Sequence, residues 1–456
     1  MTKVGGPFTA SCRPAAMGPR SAKYTARLVE CIRHFTPAWF AAIMGTGVIA
    51  ILWHNSPYAY DSRTVKVFAY TFFFLNLLLF IFFNILTILR YTMFPEIWPA
   101  LIYHPTQSLF LGTYPMGAAT LINVAVGVIY TEDGLGGKPF LYTLWAFWWV
   151  DVALSVMSAY GIVHIMFTRQ KHALESVTAV WLLPVVPLVV ISSSGGVLAA
   201  PLLNYSASNS LITLVISTVL VIMGLTLAFM MLSLYFLRLA IHGVPRGGGV
   251  VSVYIPLGPL GQGGYSILLL GAGFNSILPL HYGSSAVLRL ETVGQIIEVA
   301  TLGLALTLWS MASLWLVYGA IATIDVIWHE KILFRQAFWS LVFPNGVYAN
   351  LTIQLYRVTD STFFRVWGAI YALATLVFGA MFRTPCLDDV DIHAAAMEKG
   401  TEHARSPITD VEAAGGPEST AVAANGRRYS DHTMSSGSRR TPSYRCDIGR
   451  RREEGT

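Results

Sequence analysis

Two carboxylates interrupt long apolar stretches of this chain. Asp151 follows Trp148-Trp149-Val150, and Glu298 follows Gln295-Ile296-Ile297. A carboxylate carried into a membrane is expensive, so each is a functional candidate by default. Asp151 is placed to relay protons or to pair between helices; its structural alternative is a protonated or hydrogen-bonded acid. No enzyme motif accompanies them. Gly45-Thr46-Gly47-Val48-Ile49-Ala50 matches the GxGxxA dinucleotide fingerprint, but it lies in an apolar span and follows no strand, which excludes that reading. GxxxxGK[ST] and HExxH are absent. His54, His104, His164 and His281 are not at metal-ligand spacing and read as interfacial or helix-packing residues. Cys12, Cys31, Cys386 and Cys446 all lie in the terminal segments and form no CxxC. No catalytic residue, metal or cofactor is therefore expected. Asn204-Tyr205-Ser206 is a glycosylation acceptor in a short loop close to the membrane, a position that disfavours occupancy.

The elements that must hold these groups follow from composition. Of 456 residues, 54% are hydrophobic and only 12% are charged. A soluble domain carries about twice that share of charge, so a soluble enzyme is excluded and a polytopic α-helical membrane protein is expected. The charges gather at the ends. Residues 1–33 form a basic arm (Lys3, Arg13, Arg20, Lys23, Arg27, Arg33), residues 34–385 a charge-poor body, and residues 386–456 a polar tail. The tail has too few large apolar residues to offset its ordering entropy and reads as disordered. Ser438 and Thr441 beside arginines would suit regulation by phosphorylation. The basic runs fit attraction to anionic lipid better than nucleic-acid binding.

Stretches of about 20 apolar residues mark ten spans: roughly 37–54, 67–90, 106–130, 140–167, 175–199, 208–239, 254–280, 292–323, 337–356 and 362–383. An even number puts both termini on one side, and the basic arm makes that side cytoplasmic. Prolines divide the spans. The odd ones carry Pro37; Pro105 and Pro115; Pro184 and Pro187; Pro256 and Pro259; and Pro344. The even ones carry none. An intrahelical proline frees a carbonyl that only protein or a water-filled cavity can satisfy. The expected fold is thus five helical hairpins around a central pore, quasi-fivefold, with kinked odd helices inside and smooth even helices facing lipid. Asp151 and Glu298 fall on even helices, which argues against a pore-lining role.

The expected lining carries neither fixed sign. Its candidates are Thr46, Tyr114, Ser192, Ser193, Ser194, Gln262, Tyr265 and Asn345. Hydroxyls, amides and helix dipoles attract an anion without trapping it, whereas a cation pathway would show acidic rings. A small anion is favoured, and a neutral solute stays open.

Three stretches carry a family resemblance: His34-Phe35-Thr36-Pro37-Ala38-Trp39-Phe40 with Met44-Gly45-Thr46-Gly47, then Phe338-Trp339-Ser340-Leu341-Val342-Phe343-Pro344-Asn345-Gly346, then Phe363-Phe364-Arg365-Val366-Trp367-Gly368. Over about residues 34–385 the chain resembles the tellurite-resistance/dicarboxylate transporter family, which includes plant slow anion channels, fungal malate permeases and fungal sulfite efflux pumps. The motifs are most similar to those of the sulfite pumps. The resemblance implies a homotrimer with one pore per protomer, occluded by a phenylalanine on the ninth helix. The matching position is Phe343, with Pro344 giving the helix a place to bend. It further implies sulfite export at the plasma membrane, with sulfite as the transported partner and the bilayer as the surroundings. Two alternatives remain: a malate or other anion permease of the same family, and a membrane receptor or enzyme that signals through its tail.

Overall fold

The computed structural model describes residues 19–58, 62–245, 247–329 and 339–381. Among these there is no strand. Thirteen helices follow in order: α1 (Pro19–His34), α2 (Phe40–His54), α3 (Arg63–Met93), α4 (Ile97–Tyr103), α5 (Thr113–Val124), α6 (Gly137–Met157), α7 (Val163–Thr168), α8 (Val186–Leu203), α9 (Ala207–His242), α10 (Leu257–Ile277), α11 (Val293–His329), α12 (Trp339–Thr359) and α13 (Thr362–Met381). Part of the expected basic arm is thus helical. Cys12, the tail from Cys386 with Cys446, Ser438 and Thr441, and the outer part of the arm lie outside the described residues.

Among the described residues eight stretches are long and apolar enough to cross a membrane, among them Pro37–His54, Gln107–Glu132 and Gly137–Thr168. The other two expected spans, helices α10 and α12, do not reach that hydropathy. The reason is composition: α10 opens Leu-Gly-Pro-Leu-Gly-Gln-Gly-Gly, and α12 carries Asn345, Asn350 and Gln354. Both are nevertheless buried almost throughout.

Packing separates two classes of helix. Helix α2 packs on α5, α5 on α8, α8 on α10, α10 on α12, and α12 back on α2, so five helices close a ring. Each is followed by a partner packed against its outside: α3, α6, α9, α11 and α13. The apolar windows of the first three ring helices are 67–83% buried, and those of the outer helices 17–44%. An outer helix that buries so little of an apolar surface is suited to lipid. Two of these connections are tight. Only Asn204–Ser206 separates α8 from α9, and Ser206 caps α9 by accepting a hydrogen bond from the Asn209 amide. So short a link makes α9 run back along α8, as the two-residue link Asp360–Ser361 does for α13 along α12.

The prolines do a different job from the one expected. Pro37 opens a 3-10 turn before α2, Pro115 is the third residue of α5, Pro187 the second of α8, and Pro256 precedes α10. In a first turn the missing N–H has no intrahelical acceptor to lose, so these prolines start helices rather than kink them. Pro201 and Pro344 are the ones inside ring helices. The odd/even division also fails at Pro139, the third residue of the outer helix α6. Within α2, the Gly45-Thr46-Gly47 motif is helical, and a Cβ at Gly47 would collide with Thr120 Oγ1. That glycine lets α2 and α5 approach closely.

Candidate functional site

A single face of α12 defines the axis of the ring. Phe343, Val347, Asn350, Gln354 and Arg357 recur at helical spacing and line successive cavities. Near the first turns of the ring helices lies a cavity of about 20 Å³, bordered by Met44, Thr113, Val186, Gly258 and Phe343. Beyond Phe343 lies a second, of about 50 Å³, reached by all five ring helices through Val48, Thr120, Val190, Gln262 and Asn350 among others. The second holds several times the roughly 10–15 Å³ one water needs, and the first barely more than that. Phe343, 3% exposed, is the one described residue that borders both.

The second cavity opens to a vestibule of about 760 Å³ at the far ends of the ring helices, with which it shares His54, Asn55, Gly127, Val197 and Tyr265. Charge is present here. His54 Nδ1 lies 3.2 Å from Glu132 Oε1. A Cβ at Gly127 would come 2.8 Å from His54 Nε2, so the glycine makes room for the imidazole. Arg357 Nη1 and Nη2 donate to the side-chain and backbone oxygens of Asn55, each at 3.2 Å. The sequence boundary at 356 had left Arg357 in a loop; helix α12 runs to Thr359 and brings this cation into the vestibule. There it also complements the carboxyl-end dipoles of the ring helices.

These bonds fix a direction. An arginine can only donate, so the Asn55 side-chain oxygen must accept and its Nδ2 must donate. That Nδ2 donates to Asn350 Oδ1 at 2.7 Å. With Oδ1 turned to Asn55, the Asn350 amide presents its N–H side to the Tyr265 hydroxyl and the second cavity, which both residues line. Asn123 lines it too, and its Oδ1 has no partner among the described residues. A cavity with an oriented N–H donor and no carboxylate on its wall is built to receive an anion or an acceptor oxygen.

Of the expected lining, Gln262 and Tyr265 are on the axis, and Ser193 supports Gln262 by accepting a hydrogen bond from its Nε2. The others are elsewhere. Thr46 turns its hydroxyl back onto Ala42 O. Tyr114 donates to Asn84 and packs among Phe40 and Phe80, toward α3. Ser192 joins α8 to α9 and α10 through Ser217 O and Ser266, and Ser194 bonds Ala119 O. Asn345 binds Leu341 O and the Tyr371 hydroxyl, facing α13. Polar side chains in a tight bundle here serve helix-helix contacts as often as the axis. His54, Asn55, Asn123, Glu132, Asn350 and Arg357 were missed; the spacing from Phe343 along α12 could have found the last two.

Both intramembrane acids are off the axis. Asp151 is buried on α6 and neither oxygen has a partner among the described residues, so interhelical pairing is not seen. Glu298 accepts from Asn275 Nδ2 at 2.6 Å and links α10 to α11. Asn204 is exposed at the rim of the vestibule.

Known proteins share this body. The voltage-dependent anion channel family model, SLAC1, matches residues 34–384. A protein of Arthroderma benhamiae named sulfite efflux pump SSU1 is 34% identical over 368 residues, 79% of this chain and 93% of its own. The Saccharomyces cerevisiae protein of that name is 25% identical over 83% of this chain and 94% of its own. The Schizosaccharomyces pombe malic acid transport protein is 21% identical, covering 75% of each. With nearly all of its helical body inside that match, the chain belongs to the voltage-dependent anion channel family.

Proposed function

We propose that this protein exports sulfite, or a closely similar small oxyanion, across the plasma membrane along the axis of the helix ring, with Phe343 as the occluding side chain and Pro344 as the place where α12 gives way. The observation that carries this reading is that Phe343 alone among the described residues borders both axial cavities. A bulky apolar side chain across a narrow passage excludes water and hence ions. On this reading the ten spans form five hairpins, both termini are cytoplasmic, and the molecule works as a homotrimer with one pathway per protomer.

Sulfite is favoured over a dicarboxylate by the higher identity to proteins named sulfite efflux pumps and by the small volume beyond Phe343. Competition decides between them. Efflux of labelled sulfite from vesicles holding the purified protein should be inhibited by unlabelled sulfite at far lower concentration than by malate. Equal or stronger inhibition by malate would make the protein a dicarboxylate permease.

A further inference from the structure

Arg90 is the described charge least accounted for by the anion pathway. It stands in the last turn of α3, 3% exposed; its Nε and Nη1 have no hydrogen-bond partner among the described residues, and its guanidinium lies 5.6 Å from the centre of the Tyr91 ring. No carboxylate among the described residues is paired with it. A buried guanidinium with no counter-charge is strongly destabilising. The side chain borders a lateral cavity of about 410 Å³ that is separate from the axis. Its walls are apolar: Phe35, Phe40, Leu111, Leu154, Met157 and Ile165. Three of the hydroxyls there are engaged by the protein itself, Thr87 on Phe83 O and Ser158 on Pro184 O, while Ser108 accepts from Gln170; the Tyr91 hydroxyl, beside Arg90, has no partner among the described residues. Tyr91 and Trp98, which also line it, pack edge to face, the kind of aromatic pair found where a membrane meets water.

We infer that this cavity is a binding site for an anionic phospholipid, with the headgroup phosphate on Arg90 and an acyl chain along the apolar wall. Two features select that ligand. The unpartnered guanidinium has donors in the fork geometry that suits a phosphate. Beyond Arg90 the lining offers a polar headgroup the unpartnered Tyr91 hydroxyl, and it offers a chain a long hydrophobic surface that a free inorganic ion would leave empty. The site would let the lipid composition of the membrane set the stability of the contacts among α2, α3 and α6, independently of what passes along the axis.

The test is lipid retention and melting of the purified full chain. In native mass spectrometry from detergent with equal phosphatidylglycerol and phosphatidylcholine, the wild type should retain the anionic lipid roughly tenfold or more over the zwitterionic one, the factor one charge-assisted contact supplies. Arg90→Met should retain the two equally, and Leu154→Trp, which fills the groove, should lose both. Phosphatidylglycerol should raise the melting temperature of the wild type, and inorganic phosphate at the same concentration should not. In lipid-free detergent Arg90→Met should melt no lower than the wild type, because it removes an unpaired charge. The inference is overturned if Arg90→Met keeps the anionic preference, if inorganic phosphate stabilises as well as the lipid does, or if Arg90→Met melts clearly lower without lipid, which would mean that the guanidinium already has a protein partner.

Discussion

Arg357 holds Asn55 with two nitrogens, one on the side-chain oxygen and one on the backbone carbonyl, both at 3.2 Å. The contact joins the last turn of α12 to the carboxyl end of α2, where the ring closes. Through Asn55 it also sets which end of the Asn350 amide faces the cavity beyond Phe343. One cation at the mouth thereby determines the polarity of a group deeper in the pathway.

The order of donors makes a specific demand. Asn350→Asp puts an acceptor where an N–H is needed and should lower anion flux by tenfold or more, since a misplaced buried charge outweighs one good hydrogen bond. Arg357→Lys keeps a pure donor on Asn55 and should preserve most of the apparent affinity for sulfite. Arg357→Gln can donate or accept, frees both amides to turn, and should raise the half-saturating concentration. Concentration-dependent efflux from vesicles measures all three. Equal half-saturation for the Lys and Gln variants would show that Arg357 acts only as a structural clamp.

Asp151 gives a contrasting case. It is buried on an outer helix, and no axial cavity touches it. Asp151→Asn should leave the rate of sulfite efflux and its pH dependence within about twofold of wild type, a difference of roughly 0.4 kcal/mol in barrier. A flattened pH dependence in this variant would restore the carboxyl to a proton relay.

How far the sequence discloses this arrangement differs from element to element. Apolar length alone located α3 and α9, because a helix facing lipid has to be apolar along most of its surface. It undervalued α10 and α12, whose glycines and amides are tolerated because protein surrounds them on every side. The faces of the ring helices were harder. Tyr114 and Gln262 look alike as polar residues in inner spans, and only closure of the ring shows that one turns to α3 and the other to the axis. Arg357 was lost through a boundary set three residues short. Phe343 stands in one of the motifs that carry the family resemblance, and helical spacing from it leads to Asn350 and Arg357. The role of the prolines could not be read without helix starts, since the same residue initiates a helix in its first turn and breaks one in its middle.

Outside the spans, His104 makes stability depend on pH. Its Nδ1 accepts the backbone N–H groups of Thr106 and Gln107 at 3.2 and 3.1 Å, ordering the entry to α5. Burial holds this imidazole below the ordinary histidine value of 6.5. The unfolded chain therefore binds the proton more readily than the folded one. The stabilisation is complete above about pH 6.5 and is lost as the pH falls through the lower folded value. The melting temperature of the purified protein should drop between pH 7.5 and pH 5, and His104→Gln should make that drop smaller. An identical drop in the variant would assign the acid sensitivity to another group.

The central claim is that one aromatic side chain closes the axis between two cavities. Sulfite efflux from vesicles containing Phe343→Ala, compared with wild type at equal amounts of folded protein, tests it most directly. Removing the ring joins the cavities, and flux should rise by roughly tenfold or more, the factor that about 1.4 kcal/mol off the barrier gives. Unchanged flux from a folded Phe343→Ala protein would contradict the account.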